Sequence, residues 1–492
     1  METTSGALAG TAEDGIEAFL GVPYAAPPVG AWRWREPIVF RYSGRRDATR
    51  FGAACAQDVA RPWGPYTQDF IASAPVSEDC LFLNVWKPAQ AGQALPVVVY
   101  IHGGAFAGGS GHVPVYDGSN LARQGLVVVT INYRVGVFGF LAHPDMRGEG
   151  PGSGNFGLLD QIAALTWVRN NVARFGGDPA RVTIMGESAG AASVNDLQIM
   201  PAAAGLFRNA VSISGASMAI DTPPLAAGEA NGTALGERLG AKTLAELRAV
   251  PAARLIEVTR VVPGKGPPRL TWVPHVDGRI LPADPAKPAS PRARRVSLLT
   301  GFNGEEMIDP SVRTPAAFQS AVRGRYGAFA ERILKLYPHA TDAEAIASNA
   351  AVARDRYMAG LLLWAGARTR GPADPIYLYR HDQPLPRTAG GQDWGAFHSS
   401  SLPYIFGTVE LGGRTATPLD RTISRRWQEA IASYARSGKP SVEGHAWPVH
   451  DGTSRDVMVF GPNQGFAAAV STPQRFAMWR AFAKSGGVLG LM

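Results

Sequence analysis

Cysteine is nearly absent from this 492-residue chain: Cys55 and Cys80 are the only two. They allow at most one intrachain bridge, closing a short loop, and the alternative is a pair of free buried thiols. Their spacing does not choose between the two. Charge is also sparse, at 18% Asp, Glu, Lys and Arg beside 46% hydrophobic residues. That balance excludes a charge-rich disordered chain and is enough for a large core. No apolar run approaches the ~18 residues needed to span a membrane, so no membrane span is expected. Residues 1–15 lack the apolar core of a secretory signal. The expectation is either a cytoplasmic protein or one whose signal has been removed. Internal repeats and low-complexity linkers are missing too. Their absence argues against separable domains, although length alone suggests about two to four.

Positive charge is in slight excess, giving a net +8. The arginines are dispersed, as in Arg41, Arg45, Arg46 and Arg50, or Arg292, Arg294 and Arg295. They form a solvated basic face, and with no nucleic-acid motif no nucleic-acid partner is expected.

What the chain does contain is a strand-turn-helix signal around Gly186-Glu187-Ser188-Ala189-Gly190. Arg181-Val182-Thr183-Ile184-Met185 is a short β-branched and apolar run, and residues 191–197 continue as a helix. A serine on so sharp a turn has strained backbone angles and needs neighbours without bulk, which Gly186 and Gly190 supply. The turn lifts the Ser188 hydroxyl above the sheet edge and places it at a helix N-terminus, where developing negative charge is favoured.

The rest of the chain alternates buried strands with helices. Strands are predicted at 17–22, 81–86, 95–101, 126–132, 210–214, 296–300 and 376–379. Helices are predicted over 157–174, through most of 315–370, and at 421–436, ended by Gly438 and Pro440. Continuous apolar strands such as Val97-Val98-Val99-Tyr100-Ile101 suit a parallel sheet covered on both faces. Residues 222–292 are richer in Ala, Pro and Arg and are read as an insertion over the sheet. Trp167 is expected to fill the core.

Acyl transfer needs donors aimed at the oxyanion. His102-Gly103-Gly104 ends the 95–101 strand, so the N–H groups of Gly103 and Gly104, with that of Ala189, are the candidate donors. His102 is expected to be structural. Among the 9 histidines, His398 stands on a late loop after a strand, where the chain order of nucleophile, acid and base requires it. The acid falls between Ser188 and His398, and Glu305 and Glu306 both follow a buried strand. Charge and position do not separate them.

These segments resemble the type-B carboxylesterases, the carboxylesterase- and cholinesterase-like family, nearly from end to end. The likeness is carried by Phe19-Leu20-Gly21-Val22-Pro23-Tyr24-Ala25, Ser77-Glu78-Asp79-Cys80-Leu81, His102-Gly103-Gly104-Ala105-Phe106, Asn132-Tyr133-Arg134, Asn155-Phe156-Gly157-Leu158-Leu159-Asp160-Gln161 and Phe175-Gly176-Gly177-Asp178-Pro179. The resemblance implies an α/β-hydrolase fold: a mostly parallel central sheet flanked by helices. Insertions near 222–292 and 310–370 would form a gorge over the site within a single domain, residues 1–492. It implies Glu306 as the acid, His398 as the base and a Cys55–Cys80 disulfide, which favours a secreted or periplasmic home over the cytoplasmic one. The chain departs from the family at Ser401, where a glutamate is usual, and at Met307, where glycine is common.

The expected function is therefore a serine carboxylic-ester hydrolase with a Ser188–His398–Glu306 triad and an acyl-enzyme intermediate. Its partner is a small-molecule ester, and no cofactor or metal is implied. Carbamate or amide cleavage is the alternative within the same chemistry, and a non-catalytic binding protein the rival outside it. Phe106, Phe138, Trp394 and Phe397 are candidates for the gorge wall, with core packing the other reading of each.

Overall fold

The computed structural model describes residues 1–90, 92, 94–150, 154–215, 222–260, 270–286, 296–369, 374–443 and 445–490. Arg292, Arg294 and Arg295, and the parts of the 222–292 insertion at 261–269 and 287–292, lie outside the described residues.

An 11-stranded sheet runs through the molecule. Its strands are β1 (Thr11–Glu13), β2 (Ile16–Pro23), β3 (Phe82–Pro88), β4 (Leu95–Ile101), β5 (Val127–Ile131), β6 (Gly177–Glu187), β7 (Asn209–Ile213), β8 (Ser297–Asn303), β9 (Ile376–His381), β10 (Asp456–Phe460) and β11 (Gly465–Ala468). The spatial order is β1-β2-β3-β5-β4-β6-β7-β8-β9-β10-β11. From β5 to β10 every pairing is parallel, while β1, β2 and β3 at one edge and β11 at the other are antiparallel.

The apolar runs of β4 and β5 have no polar face because the sheet has no wet face there. Val97, Val99, Ile101, Val182 and Ile184 pack on one side, with Leu158, Leu165 and Val168 of helix α1 (Phe156–Asn171). Val98, Tyr100, Met185, Val211 and Ile213 pack on the other, with Trp427, Ile431 and Tyr434 of a helix at Pro418–Ser437. That helix starts on a capping box between Thr417 and Asp420, ahead of the predicted start at 421, and stops at Gly438 with φ 74°, where the sequence predicts its end. Trp167 lies in the first core, 5% exposed.

Helix α2 (Ala189–Leu197) follows β6 directly. The described part of 222–292 forms α3 (Leu225–Leu239), α4 (Leu244–Ala249) and α5 (Ala252–Thr259). Leu235, Leu244, Leu247 and Leu255 pack with Trp34, Val137, Phe138 and Leu141 in a separate cluster. No described member of that cluster belongs to a sheet strand, so these three helices rest beside the sheet, whereas Val273, Ile280 and Leu281 later in the same insertion join the core on the α1 face of the sheet. The 310–370 region is helical: α6 (Pro315–Tyr326), α7 (Ala330–Leu336) and α8 (Asp342–Arg368). Helix α9 (Ser401–Phe406) follows the His398 loop, and α10 (Pro418–Ser437) is the helix packed on the second face of the sheet.

Cys55 and Cys80 form a disulfide across a sequence separation of 25. Closing a loop of that length stabilises the fold by ~3 kcal/mol in the chain-entropy account. The double variant Cys55→Ser/Cys80→Ser is therefore expected to unfold at a clearly lower denaturant concentration. An unchanged midpoint would contradict the contribution assigned to the bridge.

Candidate active site

Ser188 stands between β6 and α2 with φ 57° and ψ −121°, angles that a non-glycine residue rarely adopts. The turn is held from both sides: the Ser188 N–H donates to Ile213 O at 2.9 Å, and Ser188 O accepts from the Ala192 N–H at 3.0 Å. Its flanking glycines are required by space. A Cβ on Gly186 would lie 2.3 Å from Gly190 O, and one on Gly190 would lie 2.1 Å from Ile101 O. The end of β4 thus lies hard against the turn, which brings the following loop to Ser188.

That loop begins at His102-Gly103-Gly104. A Cβ on Gly103 would sit 3.1 Å from the Ser188 Cβ and 2.7 Å from Glu187 O, so only glycine allows the loop to approach so closely. Gly104, Ala105 and Phe106 take φ of 103°, 57° and 58°, curling the chain back on itself, and the Ala107 N–H donates to Gly104 O at 2.9 Å. Ala189 is the first residue of α2, so its N–H has no partner within the helix. His102 is buried, stacks on Tyr133 at 4.4 Å, and has its Nδ1 2.8 Å from Gly103 O. Burial lowers its pKa to about 4, which keeps the ring neutral within the loop wall.

At the end of β8, Glu306 points inward, 1% exposed. Its Oε1 accepts from the Asn303 N–H at 2.9 Å. Its own N–H donates to Tyr357 Oη at 3.3 Å, and that hydroxyl donates to Asn303 O at 2.7 Å. Glu306 Oε2 lies 2.5 Å from His398 Nδ1. Glu305 turns the other way: its Oε2 accepts from the Ala396 N–H at 2.9 Å, and its N–H donates to Ala396 O at 3.0 Å. Asn303 Nδ2 donates to Phe397 O at 2.7 Å, completing a clamp on the histidine loop. Met307 adopts φ 48° and is half exposed. A glycine takes that left-handed angle without strain, which accounts physically for the family's preference there.

The structure adds residues that sequence reasoning missed. Glu187, the acid inside the elbow, is 2% exposed, and its Oε1 lies 3.2 Å from His398 Nε2. Ser399, at φ 73°, donates from Oγ to the same Glu187 oxygen at 2.7 Å. This contact ties the end of β6, just before Ser188, to the residue after His398. Tyr66 Oη donates to His398 O at 2.9 Å from the disulfide-closed loop. The only sequence signal for Glu187 is its place directly before the elbow serine, after the apolar Ile184 and Met185. Ser401, at the family's usual glutamate position, is fully buried, and its Oγ has no protein partner among the described residues.

The two carboxylates decide the charge of the ring. Burial alone lowers the His398 pKa, but Glu187 and then Glu306 outweigh it and raise it from 6.5 to about 9. Burial likewise raises the Glu187 pKa, against the pull of His398 and Ser399. Such an arrangement of strained serine, buried histidine and buried acid can activate a hydroxyl nucleophile. Among the described residues, no group of three or more His, Cys, Asp or Glu side chains is placed to hold a metal ion.

Of the four aromatic candidates, Phe106, Phe138 and Phe397 are core residues at 1%, 4% and 8% exposure, and Trp394 is 38% exposed.

Comparison with known proteins places this geometry in context. The model of the carboxylesterase family matches residues 1–479. The para-nitrobenzyl esterase of Bacillus subtilis is 36% identical over 481 residues, covering 93% of this chain and 94% of its own length. The fumonisin B1 esterase of Sphingopyxis macrogoltabida is 35% identical, covering 94% of this chain and 86% of that protein. A solved PNB esterase structure superposes with a TM-score of 0.79 at 33% identity, covering 96% of this chain and 98% of the other.

Proposed function

This chain belongs to the carboxylesterase family and is an ester-hydrolysing enzyme, and from that premise we propose that hydrolysis runs through Ser188, His398 and Glu306 with an acyl-enzyme intermediate. The observation that carries this reading is the buried His398 Nδ1–Glu306 Oε2 contact at 2.5 Å, made by a histidine whose loop is tied to the Ser188 elbow through Glu187 and Ser399.

Ser188 Oγ attacks the ester carbonyl carbon as His398 Nε2 takes its proton. Glu306 keeps the ring oriented through Nδ1–H and stabilises the imidazolium. The N–H groups of Gly103, Gly104 and Ala189 receive the oxyanion, supported by the N-terminus of α2. The alcohol departs with the proton from Nε2. His398 then activates a water that releases the acid and regenerates Ser188. Residues 1–492 act as one catalytic unit, a reading supported by sheet strands drawn from residue 11 to residue 468. The Cys55–Cys80 disulfide supports an oxidising compartment, secreted or periplasmic. Among the described residues no helix is long and apolar enough to cross a membrane.

Rapid mixing with a chromogenic ester tests the two-step course. A burst of alcohol equal to the enzyme concentration, followed by slower turnover, is expected when deacylation limits. Where acylation limits, the intermediate does not accumulate and is read by partitioning instead: esters of one acid with different alcohols, turned over in the presence of methanol, give the same ratio of methyl ester to free acid because they share one acyl-enzyme. A ratio that changes with the leaving alcohol contradicts the mechanism.

The base must be neutral to act. Because His398 is held up at about 9, it is protonated below that pH, so kcat/KM rises with pH through its titration and is lost as pH falls. The Glu187 carboxylate raises the His398 pKa, so Glu187→Gln is expected to move the limb to lower pH. A pH–rate profile of the variant with an unmoved midpoint would show that Glu187 does not set the base.

A further inference from the structure

The Gly103–Gly104 peptide is held from outside its own turn. Gln57, two residues after Cys55, is buried and uses both donors and the acceptor of its amide. Its Nε2 donates to Cys55 O at 2.9 Å and to Gly109 O at 2.8 Å. Its Oε1 accepts from the Gly109 N–H at 2.8 Å. One side chain thus grips the N–H and the C=O of the same glycine. The grip is anchored at its other end, where Ala54 and Cys55 pair with Val76 and Ser77 and Cys55 is bridged to Cys80.

Gly109 in turn lies against the donor peptide. It takes φ 112°, and a Cβ on it would lie 2.6 Å from Gly103 O and 2.4 Å from His102 Nδ1. Gly103 O is the other end of the peptide unit that carries the Gly104 N–H, one of the candidate oxyanion donors. A carbonyl only accepts, so His102 carries its proton on Nδ1 and donates to that oxygen at 2.8 Å. The peptide is planar, so whatever fixes Gly103 O also fixes the direction of the Gly104 N–H. The His102 bond is one such hold, and the packing of Gly109 is the second.

We propose that Gln57 is a positioning residue for the oxyanion hole: it holds Gly109 against Gly103 O, so that the Gly104 N–H faces the developing oxyanion. This rests on the ester-hydrolase reading above. Gln57 acts through Gly109 and not on the ester itself. Without the amide, Gly109 loses both of these partners, and the donor peptide keeps only the His102 bond. The peptide is then free to tilt. The loss falls on the transition state, because the ester carbonyl oxygen carries little charge until Ser188 attacks.

The test uses Gln57→Met, which keeps the length of the side chain and removes all three hydrogen bonds. On one ester, kcat is expected to fall about 10²-fold, the scale of one lost oxyanion donor, with KM changed by less than about threefold. Benzyl trifluoromethyl ketone reads the hole without turnover. Ser188 Oγ adds to its carbonyl carbon, the Oγ proton passes to His398 Nε2, and the carbonyl oxygen becomes an oxyanion with no group departing. The matching carbinol binds without forming an oxyanion. The ratio of ketone to carbinol affinity is expected to fall about 10²-fold in Gln57→Met. Gln57→Glu has the same shape but turns an acceptor toward the carbonyls of Gly109 and Cys55, so it should show the same fall, and it covers the case in which the methionine variant does not fold. An unchanged ratio in a folded variant, or an equal fall in ketone and carbinol affinity, overturns the role of Gln57 alone. A wild-type protein that neither hydrolyses an ester nor prefers the ketone to the carbinol overturns the ester-hydrolase reading, and this role with it.

Discussion

Replacing Glu306 by glutamine is expected to lower turnover by as much as ~10⁴-fold, the scale seen when a serine-protease triad acid is neutralised. Glutamine keeps the shape and can still face Nδ1, but it supplies no negative charge to the imidazolium and can present its amide N–H to the ring, favouring the wrong tautomer. Glu305→Gln is expected to cost roughly tenfold or less. Its carboxylate accepts one hydrogen bond from the Ala396 N–H, and a glutamine oxygen can accept the same bond, so the change removes only part of a loop contact. The comparison needs no structural correction, because both residues leave the same short turn after β8. Steady-state kinetics on one ester, with thermal unfolding as a control, decides it. If Glu305→Gln were the inactive variant and Glu306→Gln nearly normal, the acid would have been misassigned by one residue.

Ser188→Ala is expected to reduce kcat by on the order of 10⁶-fold, as loss of the nucleophile does where the triad acts as a unit. Stability should change little. Ser188 already carries φ 57°, so alanine inherits the same backbone strain and loses only a hydroxyl. Residual hydrolysis would come from the oxyanion donors and substrate binding. A variant that keeps full esterase activity with an unchanged fold would mean that the elbow serine is not the nucleophile.

How legible these features were in the sequence depended on how local their causes are. The elbow was readable because its strain, its glycines and its strand lie within a few consecutive residues. The continuous apolar runs of β4 and β5 announced a sheet covered on both faces, which is what Val97 through Ile101 meet. The direction of a side chain on a loop is not local in this sense, so Glu305 and Glu306 were separable only through family resemblance. The Ser399–Glu187 bond joins positions 212 apart and the Tyr66–His398 bond positions 332 apart, and neither pairing leaves a trace in composition or periodicity. The same limit applied to the aromatic candidates. Phe106, Phe138 and Phe397 look no different in sequence from Trp394, and only tertiary packing leaves Trp394 open to solvent. The cysteine pairing was likewise implied by resemblance, because a separation of 25 is compatible with a bridge or with two thiols.

The most direct test of the central claim is covalent labelling of the native protein with a fluorophosphonate, followed by intact mass and peptide mapping. The account predicts one adduct per chain, located on the peptide containing Ser188 and absent from Ser188→Ala. A protein that hydrolyses esters yet takes no adduct, or takes it on another residue, would contradict the assignment of Ser188 as the nucleophile.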